Sequence, residues 1–137
     1  MADFALDQVG TILAVADFEA SLEFYTKRLG LEPVMMFDDP PFAILGRDSF
    51  RLCLAEQGHP SADDSPGVVM QTLPDVMTPP VRIVLWVPDC RAAYNALVEE
   101  GVHFLTPPIA PPWGGLRCFA TDPDGYLVEL EELADHG

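Results

Sequence analysis

The chain repeats itself with an offset of 72 residues, and this repeat limits the folds that it can form. Each half begins with a strand-like run, Val9–Val15 in the first and Arg82–Val87 in the second, and an aspartate suited to capping a helix follows closely. Three short strand candidates come after each predicted helix, separated by turns rich in aspartate, proline and glycine. The offset aligns Gly10 with Arg82, Ala14 with Trp86, and Asp17 with Asp89. We therefore predict two tandem βαβββ units.

The predicted units cover residues 8–56 and 81–132 of a chain whose 137 residues are enough for a single domain. A segment rich in proline and aspartate, residues 57–80, links them. Linkers of this length without helix or strand are often functional. Each unit has a sheet with its helix on one face, so the opposite face needs cover. We expect an α+β fold in which two curved sheets form a cup, closed in a homodimer.

The composition excludes several classes of partner. A formal net charge of −15 would repel nucleic acids and anionic membranes. No apolar run approaches the roughly 20 residues of a membrane span, and the first residues do not resemble a secretory signal. The three cysteines are odd in number and widely spaced, which favours free thiols over a disulfide framework. We expect a cytoplasmic protein that binds neither nucleic acid nor membrane.

Strand alternation assigns the side chains of the second unit to two faces. Ile83, Leu85 and Val87 form an apolar face suited to packing under a helix. The residues that we predict on the other face, towards the cup, are Arg82, Val84, Trp86 and Glu129, with Ile12 entering from the first unit. A regular hairpin at Asp122–Gly125 would add Cys118 opposite Glu129, whereas a bulge there would replace Cys118 with Arg117 and Phe119.

Two segments carry a resemblance to a known family. VADFEASLEFYTKRLGLEP (Val15–Pro33) and PWGGLRCFATDPDGYLVELEE (Pro112–Glu132) resemble the two ends of proteins in the vicinal oxygen chelate superfamily. That superfamily includes glyoxalase I, extradiol dioxygenases and bleomycin-resistance proteins. The resemblance covers nearly the whole chain outside the linker, and it implies a cup-shaped fold. It does not specify an activity, because metalloenzymes and metal-free binding proteins share this fold.

The resemblance also implies where a metal would bind in the enzymes of the superfamily. The ligand positions fall on Gly10, Arg82, a position near Cys53, and Glu129. Glycine has no donor side chain and a guanidinium has no lone pair to give, so of these Glu129 alone matches a ligand. We interpret the three histidines, His59, His103 and His136, as surface or structural residues. The sequence therefore predicts no metal and no cofactor.

Arg82 occupies the position where a metal would neutralise Glu129. Because an unpaired carboxylate inside a cup is costly, we hypothesise that Arg82 pairs with Glu129. The alternative is that both side chains point into solvent at the rim.

Two tryptophans indicate what the cup would bind. Trp86 offers an apolar wall for a flat aromatic ligand, although a tryptophan on a strand often simply fills the core. Trp113 lies in the proline-rich run Pro107–Gly115. It could act as a gate or as a second stacking surface, and the alternative is that it anchors a dimer interface. Met36 could supply an adaptable wall or belong to the core.

The predicted function is non-catalytic binding and sequestration of a small-molecule antibiotic. The resemblance is greatest to the metal-free, bleomycin-resistance branch, which implies either a ligand with a planar chromophore, such as thiocoraline, or a bleomycin-type drug. On this interpretation the protein is not an enzyme. The alternative is a metal-dependent glyoxalase or dioxygenase of the same superfamily.

Overall fold

The structure is a computed structural model that describes residues 1–60 and 67–135. The chain divides into two compact units, Met1–Thr72 and Leu73–Gly137. Each unit has its own sheet and few helical residues, which confirms the predicted α+β class. Residues 61–66 of the predicted linker, and His136, lie outside the described residues. Within the described ranges, no helix is both long and apolar enough to cross a membrane.

The first unit contains a four-stranded sheet with the strand order β1-β4-β3-β2. Its elements are β1 (Thr11–Val15), α1 (Phe18–Glu23, continued by a π-helical turn over Phe24–Arg28), β2 (Glu32–Asp38), β3 (Pro41–Arg47) and β4 (Phe50–Glu56). β1 runs parallel to β4, and the other two pairs are antiparallel. The helix begins where the sequence predicts, because the Asp17 carboxylate accepts a hydrogen bond of 3.1 Å from the Ala20 amide.

The second unit contains a three-stranded sheet with the order β5-β7-β6. Its elements are β5 (Ile83–Trp86), α2 (Cys90–Glu99), β6 (Leu116–Thr121) and β7 (Leu127–Glu132). Asp89 caps α2 through a 3.0 Å hydrogen bond from the Ala92 amide, as predicted. The edge strand β5 runs parallel to the central strand β7, as β1 does to β4 in the first unit.

A strand predicted at His103–Leu105 forms only an isolated bridge. The Leu105 amide donates to the Phe119 carbonyl at 2.8 Å, and pairing with β6 resumes at Ile109 after an interruption. Pro107 and Pro108 lie in that interruption and have no amide hydrogen to donate, so a continuous ladder cannot form.

One face of the second sheet packs against α2, as the apolar alternation predicts. Its buried centre consists of Cys90, Cys118 and Leu130, with Leu85, Val87, Tyr94 and Phe104 among the side chains packed around them. The Tyr94 and Phe104 rings meet edge to face with centroids 4.8 Å apart. The helix therefore covers this face, and the alternate residues of each strand lie on the other.

The connection between β6 and β7 sets which residues share that other face. Asp122 pairs with Tyr126 through its backbone, and its side chain accepts hydrogen bonds of 2.9 Å from the amides of Asp124 and Tyr126. Gly125 adopts a φ of +88°, the conformation that ends a three-residue hairpin loop. This loop puts Phe119, rather than Cys118, opposite Glu129.

Candidate functional site

The face of the second sheet that lies opposite α2 carries charged and aromatic side chains. The strand register aligns Val84, Glu129 and Phe119 in one row and Trp86, Glu131 and Arg117 in the next. Arg82 precedes β5, and Trp113 lies in the loop before β6. We call this set of eight residues the indole face.

The predicted pairing of Arg82 with Glu129 is confirmed. Arg82 Nε lies 3.1 Å from Glu129 Oε1, and the Glu129 side chain is only 4% exposed whereas that of Arg82 is 48% exposed. The guanidinium carbon also lies 5.5 Å from the centroid of the Phe119 ring, within cation–π range. The Nε–H does not point at Oε1, so this buried oxygen has an ion-pair partner but no hydrogen bond. Arg82 is therefore held by charge and ring contact, with half of its side chain in water.

Burial raises the pKa of Glu129 above the ordinary carboxyl range, because desolvation disfavours the charged form. The Arg82 guanidinium acts in the opposite direction, and so does the more weakly coupled Arg117. The neighbouring Glu131 carboxylate raises the pKa of Glu129 further by like charge. Glu129 and Glu131 of β7 are therefore neighbouring acidic groups with Arg82 and Arg117 near them.

Glu131 holds both tryptophans of the chain. Its Oε1 accepts a hydrogen bond of 3.2 Å from Trp86 Nε1, and its Oε2 accepts one of 3.0 Å from Trp113 Nε1. Glu131 is 6% exposed, whereas Trp86 and Trp113 are 64% and 58% exposed. One buried carboxylate thus fixes the polar edges of two indoles while their apolar surfaces remain in water.

Arg117 completes the indole face from β6. Its guanidinium carbon lies 4.8 Å from the Trp113 ring centroid and 5.4 Å from that of Phe119. The buried Nε of Arg117 has no hydrogen-bond partner in the described residues. The guanidinium is therefore held between two rings, and it fixes the position of Trp113 on the side of β6.

The structure brings together five of the predicted site residues: Arg82, Val84, Trp86, Trp113 and Glu129. The prediction for Cys118 is wrong. Its register partner is Leu130, and its sulfur lies 3.8 Å from that of Cys90 in the buried core. The hairpin loop described above shifts the register by one residue, so Arg117 and Phe119 occupy the indole face.

Two predicted residues belong to the first unit. Ile12 is opposite Cys53 on β4, in a row continued by Ile44 and Met35. Met36 lies in the adjacent row, with Ala43. A register shift between Pro33 and Met35 puts Met35 in the row of Ile12.

Arg117 and Phe119 reach the indole face as the bulge alternative predicts, and Glu131 is the functional candidate that the predicted set omits. A signal for Glu131 was available, because it stands two residues after Glu129 and so shares its face. Its contact with Trp113 involves a loop, which no strand alternation predicts.

The residues at the metal-ligand positions implied by the superfamily do not fit a metal site. Gly10 has no donor, Arg82 is a cation, and burial raises the pKa of the Cys53 thiol, which disfavours the thiolate form that binds metals. Glu129 is already paired with Arg82. Over residues 1–60 and 67–135, no three side chains of histidine, cysteine, aspartate or glutamate converge to hold an ion.

Comparison with known proteins establishes the family. Residues 5–130 match the family model described as the Glyoxalase/Bleomycin resistance protein/Dioxygenase superfamily, and the chain belongs to that superfamily. A crystal structure of a superfamily member from Sphaerobacter thermophilus DSM 20745 is 27% identical, with a TM-score of 0.66 over 93% of this chain and 98% of that one. The structure of TnmS3, an antibiotic binding protein from Streptomyces sp. CB03234, shares the fold with a TM-score of 0.69 and 21% identity over 96% of this chain and 100% of its own.

Relatives found by sequence similarity include proteins named as enzymes. A probable lactoylglutathione lyase of Vibrio parahaemolyticus is 29% identical over 88% of this chain and 86% of its own length. The lactoylglutathione lyase of Escherichia coli O157:H7 is 29% identical over 93% of both chains. These findings contradict the prediction that the chain is not an enzyme, since its named relatives at this level are enzymes of the same superfamily.

Proposed function

We propose that the chain binds a small-molecule antibiotic that carries a planar aromatic group, and that the indole face is its binding surface. The observation that carries this proposal is the pair of exposed indoles held by one buried carboxylate. The antibiotic-binding TnmS3, which has the same fold, supports the class of ligand.

The exposed surface of the two tryptophans can contribute to the free energy of ligand binding. Trp86 and Trp113 keep 64% and 58% of their surface in water, although tryptophan is among the residues that gain most from burial. A ligand that covered half of that exposed surface would gain about 2 kcal/mol per indole from the protein side alone. Because Glu131 fixes the indole nitrogens, the ligand need not pay for ordering these side chains on binding.

The direct test is a titration with a panel of bleomycin-, quinoxaline- and quinoline-type antibiotics. The chain has two tryptophans and both belong to the indole face, so every change in tryptophan emission reports on this surface. We expect the planar compounds to quench the emission and to raise the melting temperature.

Two variants of Trp86 provide the matched control. Trp86→Phe keeps a flat ring and should retain most of the affinity, whereas Trp86→Leu removes the ring and should weaken binding about tenfold or more. Equal affinity in both variants, or no response to any compound of the panel, would contradict the proposal.

The lyase relatives support a second candidate, an enzyme of the superfamily that acts on a small molecule at the same face. Its test is an assay for lactoylglutathione lyase activity on the purified protein, with divalent metals added and with a chelator. Turnover that Glu129→Gln abolishes would support this candidate. No turnover under either condition would count against it.

A further inference from the structure

The basic residues of the second unit are concentrated on the indole face. Residues 73–137 contain three arginines and no lysine, against ten aspartates and glutamates. Arg82 and Arg117 both belong to the indole face, and Arg91 lies on α2. In a chain with a formal charge of −15, this placement gives the indole face two positive charges that the acidic remainder of the second unit lacks, apart from Arg91.

The two arginines are not equally available to a ligand. Arg117 is held between the Trp113 and Phe119 rings, and its Nε is buried. Arg82 is held at its Nε end by Glu129, while 48% of its side chain is exposed. Across the part of the chain that the structure describes, the terminal nitrogens of Arg82 have no hydrogen-bond acceptor.

A guanidinium in this position has one chemical preference. Its terminal nitrogens form a rigid pair of donors that matches the two oxygens of a carboxylate. The buried Glu129 carboxylate fixes the other end of the group, so the donors are oriented before the ligand arrives. A cationic ligand would instead face Arg82 and Arg117 together.

We propose that the ligand of the indole face is an aromatic acid, with a carboxylate on or next to its planar ring, and that Arg82 binds this carboxylate. This inference rests on the proposed function, since it requires an aromatic ligand on the two indoles. A shallow pocket bordered by Pro80, Val81, Arg82 and Leu127 lies beside the guanidinium and provides apolar walls next to the charge.

The test compares three compounds of one shape in calorimetric titrations of the intact protein: 2-naphthoic acid, 2-naphthamide and 2-naphthylmethylamine. We expect the acid to bind about tenfold tighter than the amide, and the amine to bind most weakly. Arg82→Leu should abolish the preference for the acid. Arg91→Leu removes the same charge from α2, away from the indole face, and should leave the preference intact.

A second variant covers the case in which Arg82→Leu does not fold, because removal of Arg82 leaves a buried carboxylate without its partner. The double variant with Arg82→Leu and Glu129→Gln removes both charges and should also lose the preference. Equal binding of acid and amide by the wild-type protein would overturn the inference, as would an Arg91→Leu variant that loses the preference equally. Tight binding of all three compounds would overturn this inference alone, whereas binding of none would also contradict the proposed aromatic site.

Discussion

Glu131→Gln is the substitution that tests the indole face most directly. In the wild-type protein each carboxylate oxygen accepts a hydrogen bond from a different indole, at 3.2 Å from Trp86 and 3.0 Å from Trp113. A glutamine of the same shape has one carbonyl oxygen and one NH₂ group. Only one indole can therefore keep its acceptor, and the N–H of the other faces a donor.

The magnitude follows from the charge and exposure of the partners. A hydrogen bond to a charged group contributes about 1.5–3 kcal/mol. Both indoles are more than half exposed, so a released N–H can bind water, and the loss should fall near the lower end of that range. We expect Glu131→Gln to lower the free energy of unfolding by about 1–2 kcal/mol and to release one tryptophan from its fixed position.

The assay is urea unfolding together with the tryptophan emission spectrum, since the two tryptophans of the chain are the two held by Glu131. Glu132→Gln is the matched control. Its carboxylate accepts a 2.9 Å hydrogen bond from the Cys90 amide, which the glutamine oxygen can still accept, and it contacts neither indole. We expect a red-shifted emission in Glu131→Gln and none in Glu132→Gln. Unchanged emission and stability in Glu131→Gln, or equal shifts in both variants, would refute the role assigned to Glu131.

Three further predictions concern neighbouring parts of the second unit. Burial raises the pKa of Cys118 to about 12, so its thiol should resist alkylation at pH 8 in the folded protein and react only after unfolding; rapid labelling of the native protein at Cys118, read by mass spectrometry, would be the contrary result. The pKa of Glu129 is raised in the folded state, so the folded protein binds the carboxyl proton more tightly than the unfolded chain does. The free energy of unfolding should therefore fall as pH rises from the ordinary carboxyl pKa through the raised value. Glu129→Gln should remove this component, and its stability relative to wild type should therefore increase with pH across that window in urea titrations. Gly114 and Gly115 both have positive φ, but an added Cβ at Gly114 would make a tight contact of 3.3 Å with the Ala134 Cβ, whereas one at Gly115 would collide with a backbone carbonyl of β7. Gly115→Ala should therefore displace the tryptophan loop and change the emission spectrum, whereas Gly114→Ala, which adds backbone strain of about 1 kcal/mol and one tight side-chain contact, should change the spectrum less.

The parts of the fold that the sequence predicts are those that depend on local interactions. Asp17 and Asp89 cap their helices as expected because a cap needs only an acceptor three residues before the amide it binds. The pairing of Arg82 with Glu129 was also predictable, because the resemblance to the vicinal oxygen chelate superfamily implies that both occupy metal-ligand positions. These features require no knowledge of loop geometry.

The prediction for Cys118 failed because of a one-residue difference in register. The Asp122 side chain closes a three-residue loop, and this loop moves Cys118 into the core and Phe119 onto the indole face. The link from Glu131 to Trp113 joins a strand to a proline-rich loop, so it is a tertiary contact that neither strand alternation nor the repeat encodes.

The two units share the same pairing of their first and last strands but carry different side chains on them. The parallel pair β1–β4 places Ile12 opposite Cys53 and Ala14 opposite Ala55, and the equivalent pair β5–β7 places Val84 opposite Glu129 and Trp86 opposite Glu131. The named positions of the first unit carry no charge, whereas those of the second carry two carboxylates and an indole. Because the backbone pairing is the same in both, the charges and indoles of the proposed binding surface come from the side chains of the second unit and not from a difference in strand pairing. A ligand selected by Arg82 and the two tryptophans is therefore recognised by residues 73–137, whatever surface the first unit contributes.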